Sequence, residues 1–243
     1  MIVFGINPVL EALKGGRARE LRVAKRADER LGRLLAAARE RHVPVRHVSP
    51  EELDRLSRKG VHQGVAAEVE ERAAAALSDL LAGPAVPLLV VLDGVEDPHN
   101  LGAIARSVDA AGAGGLVVQE RRSAALDGVA VKASAGALNH VPVAEVVNIA
   151  RAIEELKASN VWVVGLAGEG DVPYTDVDFT LPTAIVLGAE GQGLRRLVRE
   201  RCDRLARIPL FGQVESLNVS VAAGIVLFEA VRQRTQAPAP GTR

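Results

Sequence analysis

Hydrophobic and polar positions in the first 70 residues follow short alternating patterns, which predict a small unit of strands and helices. The apolar spacing in GINPVLEALKGG predicts a helix that ends at two glycines, and LRVAK is typical of a strand. Two further helices are indicated by DERLGRLLAAARERH and SPEELDRLSR, and two further strands by VPVRHV and VHQGVAAEVE. The sequence therefore predicts a small α/β domain over residues 1–70.

From Leu88 onward the pattern changes to apolar runs separated by helical segments. The runs are LLVVLD, GLVVQE, VPVAEV, VWVVGLA, AIVLGAE and LARIPL. Nearly continuous apolar strands that alternate with helices are typical of a parallel sheet covered on both faces. We expect this α/β domain over residues 88–234, after a linker or short helix at 71–87 and before a disordered tail at 235–243.

Composition narrows the class of protein. The 243 residues are 48% apolar, which is enough for a sizeable core. No apolar run reaches the length of about 18 residues that a membrane span needs, and MIVFGINPVLEALKGG lacks the order of a secretory signal, so we expect no membrane partner and a cytoplasmic location. The single cysteine, Cys202, lies among arginines without a ligand cluster, so we expect neither a disulfide nor a metal site.

The formal net charge is zero, but the charge is unevenly distributed. Residues 1–60 carry 14 Lys/Arg and 8 Asp/Glu, so subtraction from totals of 30 and 30 leaves 16 and 22 for the remainder. The basic N-terminal part could contact a polyanion such as nucleic acid. An ordinary solvated helix face would explain the same arginines equally well.

A first candidate site follows the strand LLVVLD, in DGVEDPHNLGAIARSVDAAGAGG. Asn100 or a near neighbour can cap the helix that begins there, and Gly112 lies where that helix would end. The apolar stripe of this helix consists of Leu101, Ile104, Ala105 and Val108. Arg106 lies roughly 150° from the stripe, so it points into solvent or a cleft. A surface arginine and a functional arginine both fit this position.

A second candidate site is the glycine-rich turn after the strand AIVLGAE. Gly188, Gly191 and Gly193 permit close backbone approach, but the order GxxGxG differs from the dinucleotide fingerprint GxGxxG and lacks the P-loop lysine. This disfavours a nucleotide-dependent oxidoreductase. Glu190 either faces a ligand or an arginine, or is a plain turn carboxylate. The arginines that follow it, from Arg195 to Arg207, form either a solvated helix face or a polyanion contact.

A third candidate site runs from Ile208 to Glu229, IPLFGQVESLNVSVAAGIVLFE. Ser216, Asn218 and Ser220 place side-chain oxygens at a helix start, where the first backbone N–H groups lack intrahelical partners. The apolar run behind them can bury on nearly every face. The segment predicts either a capped core helix or a ligand-binding helix start with a rigid support.

Together these three segments resemble the SpoU/TrmH (SPOUT) family of RNA ribose 2′-O-methyltransferases. The first resembles the family's Asn-containing loop and catalytic Arg, GAEGQG resembles its GxEGxG turn, and the third segment resembles its third motif nearly residue for residue. GINPVLEAL and VHQG resemble the N-terminal RNA-binding domain of the branch that modifies guanosine in large-subunit (23S) ribosomal RNA. The Ala of GAEGQG and Phe228 replace a Ser and a Tyr found in many relatives.

The resemblance implies a parallel-sheet α/β domain with a deep C-terminal trefoil knot, preceded by a small L30e-like α/β domain, in a homodimer that acts on ribosomal RNA. It implies S-adenosylmethionine as cofactor, bound in the knot by Leu187, Gly188, Glu190, Gly191, Ile208, Leu210 and Leu217. It implies catalytic roles for Asn100, Arg106, Glu190, Ser216 and Asn218. Because a guanidinium is a poor base, Arg106 is interpreted as a phosphate clamp and a stabiliser of the developing alkoxide. A transfer-RNA methyltransferase and a non-catalytic RNA-binding protein remain as alternatives.

Overall fold

The computed structural model describes residues 1–24, 31–70, 75–83, 86–121, 123–124, 126 and 128–236. Parts of three predicted segments, at 25–30, 71–74 and 237–243, lie outside the described residues. Within these ranges the chain forms a four-stranded sheet before residue 70 and a seven-stranded sheet after residue 87.

The small sheet mixes two strand directions. Its strands are β1 (Ile2–Phe4), β2 (Ala18–Ala24), β3 (Val45–Val48) and β4 (Val65–Val69). They lie in the order β1-β4-β2-β3, with β4 antiparallel to both neighbours and β2 parallel to β3. Three of these strands confirm the sequence prediction. The sequence analysis missed β1, because three residues are too few to display a period of two.

Three helices accompany the small sheet at the predicted positions: α1 (Ile6–Lys14), α2 (Gly32–Glu40) and α3 (Pro50–Leu56). The motif SPEE begins α3 as expected, because the Ser49 side chain accepts a hydrogen bond from the Glu52 backbone N–H at 3.3 Å. The apolar spacing of α2 buries Leu34 and Ala38.

The large sheet is parallel at every pairing. Its strands are β5 (Leu88–Asp93), β6 (Gly115–Gln119), β7 (Val143–Val146), β8 (Trp162–Leu166), β9 (Val172–Pro173), β10 (Thr183–Gly188) and β11 (Arg204–Arg207). The spatial order is β7-β6-β5-β10-β8-β11-β9. Six of the strands confirm the six apolar runs, and the two-residue β9 was not predicted. The expected α/β class with a parallel sheet is therefore confirmed.

In the described ranges six helices accompany these strands: α4 (Leu77–Leu81) before the first strand, α5 (Pro98–Ala110), α6 (Gly128–Ala133), α7 (Ile149–Ala158) and α8 (Arg196–Arg201) between strands, and α9 (Val219–Gln236) after the last. The chain leaves β5 toward β6 and β7 on one side, and returns through β8 and β10 on the other. The carboxyl ends of β5 and β10 therefore form the switch point, with Asp93 paired to Gly188. Ligands of open α/β sheets bind at such a point.

Helix α9 buries one stripe rather than nearly every face. Its buried residues are Val219, Ala223, Val226, Leu227 and Ala230. Val221 and Phe228 remain 49% and 50% exposed. Helix α9 packs on α5 and on β10, and the side that carries Val221 and Phe228 stays open. The helix extends through Gln236, so the first two residues of the predicted tail are helical. No helix of the described ranges has the length and apolar character to cross a membrane.

Two segments join the small unit to the large sheet. In the predicted linker, Ala75 forms a bridge with Ala144 beside β7. Helix α6 packs on both α5 and β1, and Lys132 at its end donates a hydrogen bond to the Val61 carbonyl oxygen at 2.7 Å. The Arg17 guanidinium reaches the main-chain and side-chain oxygens of Asn139 at 3.0 and 3.1 Å. One continuous apolar core includes residues of both units.

A glycine makes the close packing of α5 on α6 possible. A Cβ built at Gly102 lies 2.4 Å from the Ala133 Cβ and 2.6 Å from the Ala130 carbonyl oxygen. Gly102→Ala must therefore move one helix, and we expect the free energy of unfolding in urea to fall by about 1–3 kcal/mol. Gly32→Ala is the matched control, because apart from neighbouring backbone no atom of the described residues lies within 4 Å of that helical Cβ position. Equal stability of the two variants would contradict this account.

Candidate active site

The start of α9 is capped by Asn218. The Oδ1 of Asn218 accepts hydrogen bonds from the backbone N–H of Ser220 at 2.9 Å and of Val221 at 3.4 Å, and from the Ser220 hydroxyl at 2.5 Å. Two backbone donors that the first helical turn leaves without intrahelical partners are thereby satisfied. The side chain is consequently held in one orientation, with its Nδ2 directed away from the helix.

The Nδ2 of Asn218 brings the three sequence motifs together. It donates to the Asn100 Oδ1 at 3.0 Å and to the Glu190 Oε1 at 2.7 Å. These partners lie 118 and 28 residues away along the chain, on α5 and in the turn after β10. An amide offers two N–H donors, and both are used here. We call this group of Asn100, Glu190 and Asn218 the amide cluster.

Asn100 belongs to the first turn of α5 but does not cap it. Asp97 is the cap, since its Oδ1 accepts from the His99 backbone N–H at 2.9 Å, and Pro98 occupies the first helical position. The near neighbour anticipated from the sequence therefore fills that role. Asn100 is 7% exposed, and it is free to point sideways into the cluster.

The turn GAEGQG places Glu190 at its tip. Gly191 and Gly193 adopt φ values of 75° and 65°, which other residues rarely adopt. The Gly193 N–H donates to the Ala189 carbonyl at 2.8 Å, and a Cβ at Gly188 would lie 2.2 Å from the Gly193 carbonyl carbon. The chain thus folds back on itself so tightly that only glycine fits at 188. Glu190 is exposed at the end of this fold, within reach of Asn218.

An ion pair between the buried Asp93 and the partly exposed Arg195 fixes the far end of the same turn, and it was not predicted from the sequence. The Asp93 side chain is fully buried at the end of β5 and accepts from the Arg195 backbone N–H at 2.8 Å and from the Arg195 guanidinium. The Arg195 Nη2 also donates to the Gln119 Oε1 at 2.8 Å. A single carboxylate that ends an apolar buried strand needs such partners. The pattern LLVVLD therefore indicated that Asp93 has a partner, although not which one.

A cavity of about 340 Å³ opens at this switch point. It is lined by Asp93, Gly94, Val95, Glu96, Asp97, Asn100, Ala189, Glu190, Gln192, Gly193, Arg195 and Val219. Two members of the amide cluster, Asn100 and Glu190, therefore contribute to its wall. The cavity lies beyond the carboxyl ends of β5 and β10, which is where parallel α/β sheets bind ligands.

Two of the expected catalytic residues lie outside the amide cluster. Arg106 is exposed on α5, as its angle from the apolar stripe predicted, and it has no hydrogen bond or ion pair to the described residues. Ser216 is exposed in the segment before α9 and also makes no side-chain hydrogen bond within the described ranges. Neither side chain lines the cavity. Asn218 caps α9 beside the cavity wall, so the structure assembles three of the five expected residues.

The expected cofactor residues fall into two groups. Leu187 is 1% exposed in the core, so its side chain supports the site from behind. The turn includes Gly188, Glu190 and Gly191. The irregular segment 208–217 includes Ile208, Leu210 and Leu217. Ile208 and Leu217 are half-buried, and Leu210 is 37% exposed. These three side chains are accessible to a bound molecule.

The arginines after the turn are mostly paired with carboxylates on the surface. Arg196 pairs with Glu200 at 2.8 Å, Arg201 pairs with Glu154 at 2.7 Å, and Arg199 pairs with Glu169. The structure therefore favours a solvated helix face over a polyanion contact. Next to them, burial and then the Asp203 carboxylate raise the pKa of the Cys202 thiol to about 12. In the described ranges no group of three or more metal-ligating side chains occurs.

Residues 87–228, more than half of the chain, match the model of the SpoU rRNA methylase family. The chain belongs to this family. Residues 2–74 match a second model, for the substrate-binding region of RNA 2′-O ribose methyltransferases. The three motifs that meet at the amide cluster thus lie within the catalytic family model.

Relatives match almost the whole chain. The 23S rRNA (guanosine-2′-O-)-methyltransferase RlmB of Yersinia pestis is 46% identical, over 96% of this chain and 97% of the relative. An uncharacterized tRNA/rRNA methyltransferase of Mycolicibacterium gilvum is also 46% identical, over 96% of this chain and 76% of the relative. The crystal structure of the SpoU methyltransferase AviRb from Streptomyces viridochromogenes with AdoMet has a TM-score of 0.85 and 30% identity, covering 98% of this chain and 91% of that one.

The two uses of the Asn218 amide can be separated by substitution. Asn148 caps α7 by accepting from the Arg151 N–H, without a cluster around it, so Asn148→Ala should lower the free energy of unfolding by about 1 kcal/mol. Asn218→Ala should cost roughly 1 kcal/mol more, because Asn100 and Glu190 also lose their shared donor. Asn218→Ser should restore only the part of the unfolding free energy that comes from capping α9, and not the part that comes from the hydrogen bonds to Asn100 and Glu190. Equal losses for the two Ala variants in urea denaturation would contradict the double role.

Proposed function

We propose that this protein transfers the methyl group of S-adenosylmethionine to the ribose 2′-hydroxyl of a guanosine in 23S ribosomal RNA. The observation that carries the proposal is the amide cluster, which joins the three family motifs at the switch point of a parallel sheet. The full-length similarity to an enzyme named for this reaction in Yersinia pestis supports the choice of substrate.

The segment 208–217 fits the adenosine part of the cofactor. Among the described residues its backbone N–H and C=O groups make no main-chain hydrogen bonds, so they are available to a ligand. Adenine needs apolar walls together with a few polar partners, and Ile208, Leu210 and Leu217 supply such walls. The backbone of Gly188, Glu190 and Gly191 would close the other side. The AdoMet held by AviRb, in a fold of TM-score 0.85, supports this assignment.

The cofactor supplies a methyl group that its sulfonium has already activated. The residues of this chain must therefore orient the ribose and stabilise the oxygen as its proton leaves. Asn100 and Glu190 are held by Asn218 at the cavity wall, where they can bind the ribose hydroxyls. Arg106 carries a permanent charge with no internal partner among the described residues, which suits a phosphate clamp and stabiliser of the alkoxide. Ser216 would complete the ribose contacts.

The small unit would dock the RNA. Residues 1–60 of this unit carry 14 Lys/Arg against 8 Asp/Glu, and residues 2–74 match a substrate-binding model. Phosphate contacts from such a surface set affinity, whereas the shape of an RNA loop sets specificity. The boundaries 1–70, 71–87 and 88–234, the L30e-like character of the small unit and a cytoplasmic location belong to this proposal.

The path of the chain supports a knot and a dimer. Strand β11 lies beside β8 in the sheet. The segment 208–218 then returns to the carboxyl end of β10, where Asn218 contacts Glu190. Helix α9 follows and packs on α5. We include in the proposal a trefoil knot closed by this return. The exposed Val221 and Phe228 on α9 support a two-fold contact between protomers through this helix.

A methyl-transfer assay tests the proposal. Purified protein with tritiated S-adenosylmethionine should label unmodified 23S RNA, and mapping should place one 2′-O-methyl group on a guanosine. Labelling of transfer RNA alone would contradict 23S RNA as the substrate. It would favour transfer RNA, which the name of the uncharacterized tRNA/rRNA methyltransferase of Mycolicibacterium gilvum also includes. Binding of S-adenosylmethionine without methyl transfer to either RNA would favour the alternative of a non-catalytic RNA-binding protein.

Substitution of Arg106 tests its proposed catalytic role directly. Arg106→Ala should lower kcat by about 10²–10³-fold, since the developing oxyanion loses its cationic partner. Arg106→Lys should retain part of this rate because the charge remains. Arg151→Ala, on the exposed face of α7, is the matched control and should keep wild-type kcat. An Arg106→Ala enzyme with unchanged kcat would exclude the assigned role.

A further inference from the structure

The cavity at the switch point contains polar groups that the amide cluster does not use. The Arg195 guanidinium is fixed by Asp93 through Nε and Nη2 and by Gln119 through Nη2, and its Nη1 has no partner among the described residues. Asn100 is 7% exposed, its Oδ1 is occupied by Asn218, and its Nδ2 has no partner in the described part of the chain. Both residues line the cavity, so two fixed donor groups lack acceptors there.

The cavity also carries carboxylates without cationic partners. Glu96 makes no side-chain hydrogen bond or ion pair within the described ranges, and it lines the cavity two residues from the start of α5. Asp97 and Glu190 add two further carboxylates to the wall. Since the charge of Arg195 is balanced by Asp93, the remaining charge of the cavity is negative. A phosphate or a free carboxylate would therefore be repelled.

A neutral ligand with adjacent donors and an acceptor on one edge fits this wall. Guanine is the RNA base with two neighbouring donors, N1–H and N2–H, which a carboxylate can accept together, beside the acceptor O6. The apolar side chains that line the cavity are Val95, Ala189 and Val219. The volume of about 340 Å³ accommodates a purine base, and the amide cluster that would hold the ribose lies on the same wall.

We propose that this cavity reads the base of the target nucleotide, with Glu96 accepting from guanine N1–H and N2–H and the Nη1 of Arg195 donating to O6. The proposal rests on the proposed methyl transfer and names the residues that select the nucleotide. Asp93 and Gln119 act through Arg195 as positioning residues, because they fix the guanidinium before RNA arrives.

The test compares RNA substrates that carry guanosine, inosine or adenosine at the methylated position. Inosine lacks only the N2 amine, so wild-type kcat/KM should fall in the order guanosine, inosine, adenosine. In Glu96→Gln the ratio of guanosine to adenosine kcat/KM should drop about tenfold or more, because one acceptor becomes a donor. Arg195→Lys should lower the same ratio, since the planar fork is lost while the charge beside Asp93 remains.

Two control variants and one binding measurement complete the design. Glu120→Gln changes an exposed carboxylate outside the cavity, and Arg196→Lys changes the neighbouring arginine that pairs with Glu200, so both should keep the wild-type ratio. The affinity for S-adenosylmethionine, measured by calorimetry, should be unchanged in Glu96→Gln and Arg195→Lys.

The contrary outcomes are distinct. Weaker cofactor binding with an intact guanosine-to-adenosine ratio would assign the cavity to the methionine end of the cofactor and overturn base reading. An intact ratio with intact cofactor affinity in both variants would overturn base reading and leave the methyltransferase standing. A wild-type enzyme that methylates no RNA would overturn both proposals.

Discussion

The buried carboxylate of Asp93 is the fixed point on which the geometry of the candidate active site depends. It ends a strand that is otherwise entirely apolar, in the middle of a parallel sheet, and leaving it without partners there would be costly. Its demand for donors is met by the main chain and side chain of Arg195, which ties the end of the glycine turn to β5. With both ends of that turn held, Glu190 is presented toward α9. One buried charge, through the partners that it requires, thus organises a loop that sequence periodicity describes only as a turn.

Much of the fold was predictable because burial on both faces of a parallel sheet leaves long apolar runs. The six runs from LLVVLD to LARIPL all became strands, and the stripe that ends at Val108 became the buried face of α5. Strands of two or three residues, such as β1 and β9, carry too few positions for any periodicity. They form because neighbouring strands offer hydrogen-bonding edges, which is a property of the assembled sheet.

Three residues of the candidate site could be named from the sequence, but the hydrogen bonds that join them could not. The three motifs named Asn100, Glu190 and Asn218, but the sequence could not indicate that one amide donates to the other two residues. Arg195 was read only as part of a basic segment, since its partner Asp93 lies 102 residues away. Pairings over such separations depend on strand order, and strand order is fixed by the packing of the whole sheet. For the same reason, Leu187 looked like a wall of the site although its side chain belongs to the core.

The packing of α6 between the small unit and α5 has a consequence for how the protein unfolds. The main apolar core runs without interruption from Val3 and Leu21 to Val90 and Leu227, and Arg17, Asn139 and Lys132 add hydrogen bonds across the junction. Two units that share a core lose each other's buried surface when either one opens. The chain therefore has the physical basis of a single cooperative unit, despite having two sheets. A disturbance that loosens the small sheet therefore also affects the helix that carries Asn100, so the proposed RNA docking and the proposed catalysis depend on the stability of one core.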